Sequence, residues 1–139
     1  MRFFVVCPGG LEIPLAQELA EIAARPDSKA LGTWVIDPTP TSPTGGIGLS
    51  GPLSAAMALN LHSRIASRVL LQMAQASYRQ EDDLYKLAGG LAWEDWFNSK
   101  QTLRVDVTAH RSPLKSLNFA TLKIKDAIVD RLRDVTGDR

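Results

Sequence analysis

Few side chains in this sequence have the type and spacing needed for covalent or metal chemistry. His62 and His110 each stand without a second histidine, a cysteine or an acid at ligand spacing, and no Ser/Asp arrangement marks either as a catalytic base. Cys7 is the one cysteine, which excludes an internal disulfide and a multi-cysteine metal centre. At the end of an apolar run it suits a small core residue better than a nucleophile. Asp82-Asp83 and Glu94-Asp95 lack the compact oxygen-ligand loop of a calcium site and read as a solvated helix face. Two stretches, Gly9-Gly10 and Gly45-Gly46-Ile47-Gly48, could cradle a phosphate or a nucleotide cofactor. The first lacks the later glycines of a dinucleotide fingerprint and the second leads into a strand rather than a helix, so both are expected to be turns. No catalytic residue, metal ligand or cofactor is therefore assigned to this chain.

The cations remain. Arg111, Lys115, Lys123 and Lys125 fall within fifteen residues, and Arg64 and Arg68 are four apart. Such groups need only reach a phosphate to neutralise it, and a helix start beside them adds oriented N–H donors and a positive dipole end. The net charge of +1 hides a pattern. Residues 38–80 hold three arginines and no acid, residues 81–101 are net acidic, and residues 102–133 carry seven Lys/Arg against three Asp. The competing reading of the basic segment is a solvated face on an ordinary domain. Trp93 and Trp96 could stack bases, but beside Leu91 and Phe97 they are expected to fill a core.

The elements that must position these cations follow from periodicity. Residues 2–7 form a β-rich strand that turns at Pro8-Gly9-Gly10 into a helix with Leu11, Leu15, Leu19, Ile22 and Ala23 on one face, ended by Pro26. Residues 33–36 give a second strand, 37–44 a Pro/Thr surface loop and 45–50 a third strand. A helix opening near Pro52 turns Leu53, Ala56, Met57 and Leu61 inward, and residues 69–76 supply a fourth strand. This βαββαβ order over residues 1–77 predicts a ferredoxin-like domain, an antiparallel sheet with both helices on one face. Residues 78–139 form a second unit. It has a helix at 81–88, a helical turn around 93–97 and a strand at 102–109 whose Leu103, Val105, Val107 and Ala109 alternate with polar residues. A basic loop follows, then a helix capped by Ser116 or Asn118. That helix places Ala120, Ile124, Ala127, Ile128, Leu132 and Val135 on one face, with Lys123, Asp126, Asp130, Arg133 and Asp134 opposite and Lys125 and Arg131 at the flanks. A return strand is lacking, so this α/β unit is incomplete. The class is α+β. The apolar runs are too short for a membrane span or a secretory leader, which makes the cytoplasm the expected setting.

Four blocks, PGGLEIPLAQEL, NLHSRIASRVLL, DLYKLAGGLAWEDWF and SLNFATLKIKDAIVDRLR, resemble in that order the amino-terminal part of bacterial large-subunit ribosomal RNA methyltransferases. The resemblance implies a ferredoxin-like domain, then a THUMP domain that binds RNA, then a class I guanine-N2 methyltransferase domain downstream in the same polypeptide that uses S-adenosylmethionine. The partner it implies is structured 23S rRNA; with the resemblance added to the charge pattern, Arg111, Lys115, Lys123 and Lys125 are expected RNA contacts, and Arg64 and Arg68 either RNA contacts or interdomain struts. The 37–44 loop departs from the shorter connection of those enzymes. Two other functions stay open: a THUMP module for transfer-RNA modification of the thiolation type, and a ferredoxin-like small-molecule sensor with its pocket at residues 45–51. The sequence beyond Arg139 discriminates among them.

Overall fold

The computed structural model describes residues 1–42 and 44–137. They form two compact units, Met1–Met73 and one from Ala74 onward.

In the first unit β1 (Arg2–Val6) lies at the centre of an antiparallel sheet of order β2-β3-β1-β4, with β2 Val35–Ile36, β3 Gly46–Ser50 and β4 Arg68–Leu71. Alternation sets the register. Phe3 and Val5 of β1 are buried, Phe3 opposite Leu49 and Val5 opposite Ile47 on β3, because a strand sends every second side chain to the same face. Helices α1 (Glu12–Ala24) and α3 (Leu53–His62) supply Leu15, Leu19, Ile22, Ala55, Ala58 and Leu59 to the same core, and Cys7 is buried there too. Strand order and antiparallel pairing are those of the ferredoxin-like fold.

Several details differ from expectation. Arg25 is extended, and Pro26 opens a short helix, α2 (Pro26–Ala30), where its missing N–H costs nothing. Leu11 is exposed, and Glu12 takes the buried position at the start of α1. The phase of α3 is the main correction. Leu53, Met57 and Leu61 are 47, 65 and 77% exposed, while Ala55, Ala58 and Leu59 face the core. No residue of α3 carries a fixed charge, so the apolar period has no polar face to orient it; the two small alanines let the helix approach the sheet closely.

The second unit is built on α4 (Glu81–Gly89) and the long α5 (Leu117–Thr136), joined through a single 3₁₀ turn at Trp93–Asp95. Ala120, Ala127, Ile128 and Leu132 of α5 are buried as the periodicity requires, whereas Val135 is exposed. The α4–α5 contact is close because a Cβ built on Gly89 would stand 4.0 Å from that of Ala127. Trp93 donates from Nε1 to the Ala88 carbonyl (2.7 Å) and packs against the Phe97 ring at 5.8 Å, but Trp96, expected in the core, is 48% exposed. Residues 102–109 alternate in burial with Leu103, Val105, Val107 and Ala109 turned inward, yet among the described residues they pair with no strand. Side-chain alternation needs only a core on one side; a ladder needs a second backbone. Leu103 and Val105 share an open groove with Ile124 and Ile128 of α5.

Candidate nucleic-acid interface

The start of α5 is fixed by its own chemistry. The Ser116 hydroxyl accepts from the Phe119 backbone N–H at 3.3 Å, which settles the N-cap on Ser116. At the far end Gly137 turns left-handed (φ 71°) and its N–H returns to the Arg133 carbonyl at 2.8 Å. The loop before the helix is held just as firmly. Ser112 Oγ lies 3.0 Å from Tyr78 OH and accepts from the Leu114 N–H at 3.2 Å, with Ser112 and Leu114 half-buried. Arg111 and Lys115 are both exposed on this loop.

Arg111 has a further property: its φ is 51°, and it is the one non-glycine with positive φ among the described residues. A left-handed conformation brings Cβ against the following carbonyl and costs an L-residue roughly 1–2 kcal/mol. Glycine or asparagine would sit there with less strain, so the arginine is not explained by the backbone. Strain of this kind gathers at functional sites.

The structure divides the predicted cations. Arg111, Lys115 and Lys125 are exposed and hold no hydrogen bond or ion pair among the described residues. Lys123 is committed: its Nζ donates to Asp82 Oδ1 at 3.0 Å and stands 5.8 Å from the Tyr85 ring centroid and 5.6 Å from that of Phe119. Two residues apart on a helix of 3.6 residues per turn, Lys123 and Lys125 point about 160° apart. Lys125 therefore does not share a face with Lys123. Arg131 donates from Nε to Glu94 Oε2 at 3.1 Å and from Nη2 to the other carboxylate oxygen, which holds Glu94 below the usual carboxylate range. Tyr85 OH donates to Asp130 Oδ2 at 2.6 Å, and that bond raises the tyrosine pKa. The acids expected on a solvated face are largely structural: Asp82 and Glu94 hold cations of α5, and Asp83 accepts from the Arg79 and Gln80 N–H groups ahead of α4.

Arg64 and Arg68 lie in the first unit, both exposed and outside α3. Arg64 sits in the turn after that helix, which Glu18 of α1 secures by accepting from Ser63 Oγ, from the Arg64 N–H (3.0 Å) and from the Ile65 N–H (3.4 Å). Burial alone would raise the Glu18 pKa; these donors outweigh it and the net direction is down. Arg68 opens β4 opposite Val6.

The glycine stretches have an occupant of their own. The Glu12 carboxylate accepts from the N–H groups of Gly10 (2.8 Å), Thr44 (3.1 Å) and Gly45 (3.0 Å). The turn donors that could have held a phosphate hold a side chain instead. Glu12 is pulled below the ordinary carboxylate range, first by its own N–H at the helix start, then by Gly45, against a smaller opposing effect of burial. A Cβ at Gly46 would fall 2.8 Å from the Phe4 ring, and one at Gly48 would collide with the Arg2–Asp37 pair. The space at residues 45–51 is filled by the chain itself, and the described residues do not fit S-adenosylmethionine there. The sequence signal for Glu12 was an acid two residues after Gly-Gly at a helix start; its partners 32 and 33 residues away were not visible.

Residues 2–70 match the RlmL ferredoxin-like domain and residues 78–139 the THUMP domain. A Syntrophotalea carbinolica protein named ribosomal RNA large subunit methyltransferase K/L is 37% identical over 134 residues, and one of the same name from Cellvibrio japonicus is 33% identical over 138. These cover 96 and 99% of this chain, which spans 17% of the length of either relative. Among solved structures, a Listeria monocytogenes protein described as a predicted N6-adenine-specific DNA methylase superposes with a TM-score of 0.77 at 26% identity, over 96% of this chain and 32% of its own. A possible methylase from Clostridium difficile, at 19% identity over 99% of this chain and 33% of its own, shares the fold with a TM-score of 0.79. The chain therefore belongs to the RlmL ferredoxin-like domain family through residues 2–70 and to the THUMP domain family through residues 78–139.

Proposed function

We propose that this chain is an RNA-binding module that presents structured 23S rRNA to an S-adenosylmethionine-dependent guanine-N2 methyltransferase domain of the same polypeptide, in the cytoplasm. What carries the reading is Arg111 and Lys115 beside the capped start of α5, with Lys125 further along that helix, all three exposed and without a partner among the described residues, in a THUMP domain. Relatives bearing the name of rRNA methyltransferases supply the target class. Arg64 and Arg68 extend the set of candidate RNA contacts. Lys123 acts mainly within the fold, and reaches phosphate only by leaving Asp82.

Recognition rests on backbone charge, so binding is steeply salt-dependent and tolerant of base changes. The test is the affinity of the full-length protein for rRNA and for transfer RNA across a salt series, with Arg111, Lys115 and Lys125 replaced singly. Selective binding of rRNA, with a shallower salt slope for each variant, is expected. Preference for transfer RNA would favour the tRNA-modification reading, and unchanged slopes would remove these residues from the interface.

A further inference from the structure

The first turns of α5 carry more than charge. Phe119 is 48% exposed, between Leu117 at 40% and Leu122 at 54%. Large apolar side chains on the outside of a helix ask for a partner, and here the neighbours narrow its chemistry. Lys115 precedes the N-cap and Arg111 is on the loop tied down by Ser112, both without partners among the described residues, while Lys125 lies further along the helix and about 120° round it from Phe119. An apolar protein surface would leave these cations unanswered. A nucleotide answers both, with a phosphate for the cation and a flat base for the ring.

The Phe119 backbone is fixed by the capping bond to Ser116, and Lys123, one helical turn on, stands 5.6 Å from the ring centroid. That cation is held in turn by Asp82 and stands 5.8 Å from the Tyr85 ring centroid, so the Phe119 ring has a positioned cationic neighbour. Trp96, the other well exposed aromatic of this unit, follows Glu94 and Asp95 in the chain, and among the described residues no cation stands over its ring. Base faces are hidden inside a duplex and open only in loops, bulges and strand ends.

We propose that Phe119 stacks on an unpaired nucleobase, and that the RNA held at the start of α5 is therefore a single-stranded element. The inference rests on the RNA-binding reading above. Its test uses the full-length protein and two RNA probes of equal length, a hairpin with 2-aminopurine in its loop and a fully paired duplex. Wild type should bind the hairpin and change the 2-aminopurine fluorescence. F119A should weaken hairpin binding by about tenfold, within the range known for loss of one base–aromatic stack, abolish the fluorescence change and leave duplex binding unaltered. F119Y should restore both, whereas F119L should not. Should F119A unfold, the F119Y and F119L pair decides alone. Equal hairpin affinity for wild type and F119L would overturn the stacking proposal while leaving RNA binding intact, and would point to a protein partner for this surface. Failure of wild type to bind either probe would instead overturn the RNA-binding reading itself.

Discussion

Replacing Arg111 with asparagine should separate what this residue costs the fold from what it does for binding. Its φ of 51° places it in the left-handed region, where an L-residue other than asparagine, aspartate or glycine loses roughly 1–2 kcal/mol. Asparagine recovers part of that, on the order of 1 kcal/mol, because its short amide bonds locally to the backbone. Nothing is lost in exchange, since the guanidinium holds no partner among the described residues. For a unit of this size 1 kcal/mol corresponds to about 4–8 °C in melting temperature, so R111N should melt a few degrees higher than wild type. Its RNA binding should move the other way. One lost phosphate contact lowers the steepness of log K against log salt by about 0.7 for a single strand and 0.9 for a duplex. Between 50 and 200 mM salt that single contact accounts for roughly a threefold difference in affinity. Calorimetry and fluorescence anisotropy on the full-length protein read the two quantities independently. A lower melting temperature would mean that Arg111 is not strained; an unchanged slope would mean that the strain serves no phosphate contact.

Three further outcomes follow from contacts described above. Glu12 has a folded pKa below its unfolded value of about 4.3, so its contribution is present above that pH and disappears as pH falls through the lower folded value. E12Q should be less stable at neutral pH and lose less stability on acidification, and parallel denaturation curves between pH 7 and pH 3 would exclude the cradle as the cause. G46A should destabilise the first unit by about 1–3 kcal/mol, because its Cβ would stand 2.3 Å from the Val5 carbonyl oxygen and 2.8 Å from the Phe4 ring; wild-type stability in urea would show that the strand yields freely. A double-mutant cycle on Lys123 and Asp82 should give a coupling of about 0.2–1 kcal/mol, since both side chains remain partly in water, and zero coupling would return Lys123 to the set of free cations.

Much of the first unit was legible because its strands are short β-rich runs set off by Pro/Gly turns and α1 has a distinct polar face. α3 was not, since a helix without charge leaves several phases equally favourable to burial, and the one drawn from Leu53, Met57 and Leu61 turns out to face away from the core. At residues 102–109 the local sequence set the direction of each side chain, but hydrogen bonding belongs to a pair of backbones and no local pattern reveals the second. The candidate interface divides along the same line. Exposure of Arg111, Lys115 and Lys125 accords with their loop and helix positions, whereas a helical wheel drawn for α5 alone carries no trace of Asp82 on α4, which claims Lys123. Arg111's backbone and Phe119's exposure required coordinates.

The segment between Asp37 and Thr44 is anchored at both ends. Asp37 receives a bidentate pair from Arg2, Nη1 to Oδ1 at 2.8 Å and Nη2 to Oδ2, while the Thr44 and Gly45 N–H groups close on Glu12. With its two ends held by such clamps, doubling the length of this connection adds only about 0.6 kcal/mol of closure entropy. A longer or rewritten connection would therefore leave the Arg2–Asp37 and Glu12 contacts in place. The same property makes it the natural point for splicing in an epitope or a fluorophore, at little cost to the core of the first unit.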